Sequence, residues 1–363
     1  MPEAIPLNRD LCTTVFRDPR LVNSLGLGKW DLLAPQARQS NLLARLAVVL
    51  EENGLLSSVP PEVLDHLESA RRLSERHVET VHWEVNRIQE ALEPTGVPVI
   101  LLKGAAYVLA GLPPAAGRIF SDVDIMVPKA AIPTVEKALR RRGWQSMHQD
   151  SYDQQYYREW MHEIPPLQHG FRQTVLDVHH TILPPTARLK PDPAALLAAA
   201  QPVKGKEELY VLAPTDMVLH SATHLFHDGD LENGLRDLVD LDALLRHFGA
   251  DDGFWDALVD RAHEQDLARP LYYALTQAPR YLGTPIPDAT LRRIQEGRAR
   301  PPVAWLMDEL LRRGLAPNHP SCDDALTGVA RWALYVRSHW LRMPLHLLIP
   351  HLVRKAGRRT QKA

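Results

Sequence analysis

The 363-residue chain reads as an α+β protein, a small mixed β-sheet core flanked by N-terminal and C-terminal helical regions. Three observations predict this. Residues 1–95 carry apolar positions at helical spacing, clearest at Val78, Val81, Val85, Ile88 and Leu92. Residues 96–184 break into short apolar runs punctuated by Gly and Pro, the pattern of strands alternating with short helices. Residues 185–350 return to helical patterns, and residues 351–363 form a basic tail.

Taken in order, the helix ending at Leu92 is stopped by Pro94, Gly96 and Pro98. VPVILLK (97–103) is an apolar run after a turn signal and reads as a buried strand, with Gly104 and the short helical AAYVLAG behind it. GLPPAAGRIF (111–120) is a loop. SDVDIMVP (121–128) alternates as a strand, and KAAIPTVEKALRRRG (129–143) is a helix closed by basic residues and Gly143. WQSMH (144–148), the Tyr-rich stretch Tyr152 to Trp160, and TVLDVHHTI (174–182) all read as strand-like. PDPAALLAAAQP, TDMVLHSATHLFHDG and ENGLRDLVDLDALLRHFG are successive helices, with Thr215 as N-cap and Gly229 and Gly249 as stops.

The charge balance, 42 Lys+Arg against 44 Asp+Glu, excludes a globally basic nucleic-acid coat and an acidic disordered chain. No window reaches ~18 uninterrupted apolar residues, so no spanning helix is expected, and the first residues lack a signal-peptide pattern. Cys12 and Cys322 form neither a metal spacing nor a disulfide framework, which points to a reducing, cytoplasmic setting.

The chemistry concentrates in Ser121-Asp122-Val123-Asp124-Ile125. On a strand, Val123, Ile125 and Val127 share one face and suit a core, while Asp122 and Asp124 share the other, about 7 Å apart along the strand. Paired carboxylates can hold a hard cation such as Mg²⁺ beside substrate phosphates. By itself an Asp-x-Asp is better explained by two solvated acids. Three neighbours shift the balance. Gly104, after a buried strand, permits close backbone approach to an anion, and Lys103 adds a point charge for phosphate. Arg118 could pair with phosphate, brace the carboxylates, or be an ordinary surface arginine. Asp177 lies on a further strand, on one face with His179. If that strand runs beside the first, three carboxylates meet, a set able to hold two divalent ions for in-line displacement at phosphorus.

The run LLKGAAYVLAG…GRIFSDVDIMVPKAAIPTVEKALRRRGW, followed by LDVHHTI, resembles the DNA polymerase β-like nucleotidyltransferase superfamily, and more narrowly a branch of uncharacterised bacterial nucleotidyltransferases. The similarity covers roughly 97–182 and extends to the H…LRDLVDLDALL run near 210–250. It implies Mg²⁺-dependent transfer of a nucleoside monophosphate from a nucleoside triphosphate, with Asp122, Asp124 and Asp177 as metal-binding and catalytic acids, and Lys103, Gly104, Arg118 and Ser121 at the nucleotide. The superfamily has Ser or Gly after the turn glycine. Here Ala105 follows, so a phosphate-contacting hydroxyl is missing and Lys103 is the candidate replacement. The acceptor is unidentified: a small molecule, a sugar, or a peptide or protein hydroxyl. The lack of a basic stripe beside the acids argues against long nucleic acid.

His220, His224 and His227 recur at i, i+4, i+7 on one predicted helix, followed by Asp228, with Asp237 and Asp240 on the next. An i, i+4 histidine pair can chelate a metal, which gives a metal phosphohydrolase as an alternative reading. The preferred reading is a polar helix face, with His179, His220, His224 and Asp240 lining an acceptor cleft. A second alternative keeps the fold as a catalytically inactive nucleotide-binding or regulatory module, consistent with Ala105. The C-terminal RWALYVRSHWLRMPLHLLIPHLVRKAGRR mixes Trp, Leu, Arg and Lys in the manner of a peripheral membrane segment. Pro344 and Pro350 interrupt it, and a packed terminal helix with a basic tail is the preferred expectation.

Overall fold

The computed structural model describes residues 10–350 apart from 149, 207, 229 and 230 and the side chain of Asp228. The basic tail at 351–363, the helix stop at Gly229 and the acid of the His227-Asp228 dipeptide lie outside the described residues.

Four helices open the chain: α1 (Leu11–Arg17), α2 (Leu27–Gln39), α3 (Leu43–Glu52) and α4 (Pro61–Leu92). In α4, Val81, Val85, Ile88 and Leu92 are buried at the spacing read from the sequence. Gly96 ends the segment in the left-handed region at φ +62°, which a residue with a Cβ rarely adopts.

One sheet follows, built from β1 (Val99–Leu101), β2 (Asp122–Met126), β3 (Trp144–Ser146), β4 (Leu167–His169), β5 (Val175–His179), β6 (Gln201–Pro202) and β7 (Leu209–Val211). Its strand order is β3-β4-β5-β2-β1-β7-β6. The pairs β2/β5 and β1/β7 are parallel and the rest antiparallel, so the sheet is mixed. The sequence did not signal β4, β6 or β7, which are two or three residues long and carry no alternating pattern. Because β7 pairs with β1, the sheet draws on chain beyond residue 184.

The strand-like reading of Tyr152 to Trp160 is wrong. This stretch is helical: α7 (Ser151–Gln155) running into a π turn, Tyr156–Trp160. It follows α5 (Lys103–Leu109) and α6 (Ile132–Arg141) in the chain. The aromatic residues favour a strand only weakly, and local polar groups decide otherwise. The Asp150 carboxylate accepts hydrogen bonds from the Tyr152 and Asp153 amides as an N-cap. Gln154 then bonds Arg158, and Gln155 bonds Glu159, one turn on.

The remaining helices are α8 (Pro193–Ala199), α9 (Pro214–Thr223), α10 (Gly234–Phe248), α11 (Phe254–Glu264), α12 (Ala268–Leu282), α13 (Asp288–Arg293), α14 (Pro301–Gly314) and α15 (Thr327–Arg342). Ala213, not Thr215, is the N-cap of α9, because Pro214 already occupies the first turn, where its missing N–H costs nothing.

A buried ion pair ties α4 to the loop joining β4 and β5. The Glu84 carboxylate, 2% exposed, accepts from Arg172 Nε at 3.0 Å and Nη2 at 2.7 Å, and from Thr174 Oγ1 at 2.9 Å. The Arg172 guanidinium also stacks over the Trp144 ring, 4.6 Å from its centroid. Removing the arginine strands a buried carboxylate. Arg172→Met is therefore expected to lower the unfolding free energy by about 3–5 kcal/mol in urea denaturation. The double variant Glu84→Gln/Arg172→Met should recover part of that loss, and equal stability of single variant and wild type would show that the pair does not hold the sheet to α4.

Candidate active site

Strand register assembles the acids. The parallel pairing of β2 with β5 sets Asp124 directly beside Asp177, Asp122 beside Val175, and Met126 beside His179. Alternation then puts Asp122, Asp124, Asp177 and His179 on one face. Asp122 is exposed at the strand start, where Ser121 Oγ donates to it at 2.9 Å. Asp124 is 9% exposed and bonds His179 Nε2 at 3.0 Å. A short bridge between Glu163 and His179 adds another carboxylate, 3.5 Å from the same nitrogen.

The two neighbouring acids titrate in opposite directions. Burial works against the Asp124 anion, but the Lys103 ammonium and the His179 hydrogen bond more than offset it, and Asp124 is held well below the usual carboxylate range. Burial, together with the charges of Asp124 and Glu163, pushes Asp177 up to about 8. His179 is raised on balance: burial lowers it, while Asp124 and Glu163 outweigh burial.

Lys103 reaches this face through an unusual backbone. Leu102 N donates to Asp124 O at 3.0 Å, which extends the β1/β2 ladder by one bond. Lys103 then turns at φ +43°, a conformation costly for a residue with a Cβ. Gly104 is required for a reason the sequence did not give. A Cβ there would sit 2.8 Å from the Phe120 ring and 3.4 Å from Arg118 Nε, so the glycine is packed over by the loop before β2.

A cavity of about 250 Å³ opens here. Lys103, Gly104, Arg118, Ser121, Asp122 and Asp124 form one wall, and His224, Arg236, Asp237 and Asp240 form the other. The second wall belongs to the π turn that follows α9 and to α10. Asp237 accepts from Arg236 Nη2 at 2.7 Å and faces His224 Nδ1 at 3.6 Å. Burial disfavours its anion, but His224 and Arg236 hold it below the ordinary carboxylate range. Arg118 forms an ion pair with Asp240, both side chains largely buried, so its charge is directed at α10 and not at the β2 acids. Burial lowers Arg118, and the nearby Arg236 lowers it further. Asp177 and His179 do not line this cavity.

The three helix histidines do not converge. His220 is buried, and its pKa is pushed far down by burial and by Lys103. His224 pairs with Asp237, and His227 lines a different cavity beside Tyr273 and Arg337. The helix passes into a wider π turn at His224–Asp228, which breaks the i, i+4, i+7 face assumed from the sequence. Among the described residues, the one group with donor atoms close enough to share a metal is His162, Glu163 and His179, within 4.8 Å of one another. Sequence reasoning missed His162, Glu163 and Arg236. No motif marks them, and Glu163 arrives only through its bridge to β5.

The carboxylate face carries oxygen donors suited to a divalent cation, but Asp122, Asp124 and Asp177 do not form such a close group, so sharing an ion would require their side chains to turn. Asp177 Oδ1 is buried without a hydrogen-bond partner among the described residues. The neighbouring donors are carboxylate oxygens, which hard cations prefer.

Residues 27–283, well over half of the chain, match the model of a family described as uncharacterised nucleotidyltransferase. The chain belongs to this family. The match spans every strand of the sheet and both cavity walls, and it stops before α13. No curated protein matches the chain. In this nucleotidyltransferase, the Arg118–Asp240 pair links the loop before β2 to α10. Asp240→Ala is expected to cost about 3–5 kcal/mol by leaving a buried guanidinium unpaired. The double variant Arg118→Met/Asp240→Leu should regain most of it in urea melts. A single variant as stable as wild type would mean the pair is not structural.

Proposed function

We propose that the enzyme transfers a nucleoside monophosphate from a nucleoside triphosphate to a hydroxyl acceptor in a Mg²⁺-dependent reaction. The observation that carries this reading is the in-register Asp124–Asp177 pair, with Asp122 on the same face and one Asp177 oxygen buried and unpartnered. Asp122, Asp124 and Asp177 would hold the metal. When bound, Mg²⁺ supplies neutralisation of the triphosphate and acidifies the attacking hydroxyl.

The chain's own groups divide the rest. Lys103, held against Asp124 on the cavity wall, is placed to meet phosphate oxygens where the family's usual hydroxyl is replaced by Ala105. His179 fixes the Asp124 carboxylate through its Nε2 bond, as the partners of metal-binding carboxylates commonly do. Asp177, ionised beside the bound cation, is placed to take the acceptor proton as the acceptor oxygen bonds to the α-phosphorus. The bond from that phosphorus to pyrophosphate breaks, and pyrophosphate leaves. A small polar cavity favours a small-molecule, sugar or side-chain acceptor over long nucleic acid.

Pyrophosphate release, screened over the four nucleoside triphosphates with Mg²⁺, tests this reading. Asp124→Asn should bring turnover to background, and Asp177→Asn should lower it about 10²–10⁴-fold. Triphosphate binding with no release in the wild type would instead favour the inactive binding module. Stability gives a second readout. An acid with a raised folded-state pKa costs stability once pH exceeds its unfolded value, so that cost grows from the ordinary carboxylate range up to about pH 8. In metal-free buffer at pH 8, Asp177→Asn should therefore melt no lower than wild type, and a clear drop would contradict the charge arrangement.

A further inference from the structure

Helices α14 and α15 carry a surface that the cavity chemistry leaves unused and the family match does not reach. Eleven of the sixteen exposed large hydrophobic residues among the described residues lie between Val303 and Ile349. On α15, Ala330, Leu334 and Ser338 face inward at a spacing of four. Val329, Trp332, Val336 and Trp340 are exposed at spacings of three and four, a separate stripe of the same helix. The adjoining α14 exposes Trp305 and Leu306, and its close approach to α15 depends on Gly314, where a Cβ would lie 2.7 Å from Leu334 Cδ1. Trp305 is 68% exposed and Trp332 65%, values far outside those of packed aromatics. A concentration of this kind marks an interaction surface, not scattered surface apolarity.

The charge pattern selects the partner. Residues 325–363 hold eight Lys and Arg and no Asp or Glu. The acids just before this run are already committed: Asp323 pairs with Arg331 at 3.2 Å, and Asp324 with Arg313 at 3.0 Å. Tryptophan and arginine are enriched at protein–protein interfaces as well, so the selecting feature is the one-signed charge of the whole 325–363 segment. Exposed tryptophan with aliphatic residues on one helix face, within an acid-free basic segment, is the pattern of helices lying at the headgroup level of a bilayer. The chain's own tail is a poor cover, because beyond residue 350 its large apolar residues are Leu352 and Val353. We propose that the α14–α15 surface docks the enzyme on a membrane rich in anionic lipid. The contact is peripheral, since no described helix is long and apolar enough to cross a membrane.

Co-sedimentation of the full chain with vesicles tests the proposal. The protein should pellet with phosphatidylcholine vesicles containing about a third phosphatidylglycerol, and not with phosphatidylcholine alone. Tryptophan emission should shift to the blue on binding, and NaCl at about 0.5 M should release the protein. Trp305→Ser/Trp332→Ser should weaken binding at least about tenfold, at an unchanged melting temperature and unchanged pyrophosphate release in solution. Arg358→Glu/Arg359→Glu should weaken it independently of the tryptophans. Binding to neither vesicle, or equally to both, would overturn the proposal. So would a wild-type dimer in sedimentation velocity that the double tryptophan variant converts to monomer without any vesicle binding, because the surface would then be a subunit interface.

Discussion

Two carboxylates held side by side on neighbouring parallel strands are the constraint to which the rest of the site responds. Asp124 and Asp177 are register partners, so backbone hydrogen bonding places their charges together whatever the side chains prefer. In a partly buried setting that juxtaposition is unfavourable for two anions. The protein resolves it asymmetrically. Asp124 receives Lys103 and His179 and stays ionised, while Asp177 receives little and is driven toward its neutral form. The strained backbone at Lys103 belongs to the same solution. A left-handed lysine is tolerated where the Leu102–Asp124 ladder bond before it and the Phe120 ring packed over Gly104 leave no alternative path.

Outside the acids, opposite charges are paired in a second layer. Arg118 with Asp240, and Arg236 with Asp237 beside His224, connect the loop before β2 to α9 and α10. Burying such pairs adds little net stability but makes each partner expensive to lose, so they fix geometry more than they raise the melting point. The cavity between them is thus bounded by Lys103 and the β2 acids on one side and by the paired charges of α10 on the other.

Much of this was legible in the sequence. The Asp-x-Asp strand, the Gly104 turn and the later Asp177 strand were readable because each is local: a period of two, a glycine after an apolar run, an acid between Leu176 and Val178. The helical face of α4 was readable for the same reason. The strands β4, β6 and β7 were not, since strands of two or three residues carry no period and exist only because a neighbour offers free backbone groups. The Tyr152–Trp160 error has a related cause. Its aromatic residues point to a strand, and a single capping aspartate outweighs them. Arg118 and Gly104 also have contacts that the sequence did not show, an ion pair with α10 and a packing site for Phe120.

The sequence by itself determined which residues could do chemistry and on which face of a strand they lie, because alternation is a property of the backbone. Only the tertiary structure decided which of them meet. Register between strands more than fifty residues apart brought Asp177 to Asp124, and a π turn separated His227 from His220 and His224. The same holds for the C-terminal segment. Its composition permits either a packed helix or a membrane-facing one, and only the folded chain shows which side chains stay exposed, because burial depends on what the remainder of the chain has left uncovered.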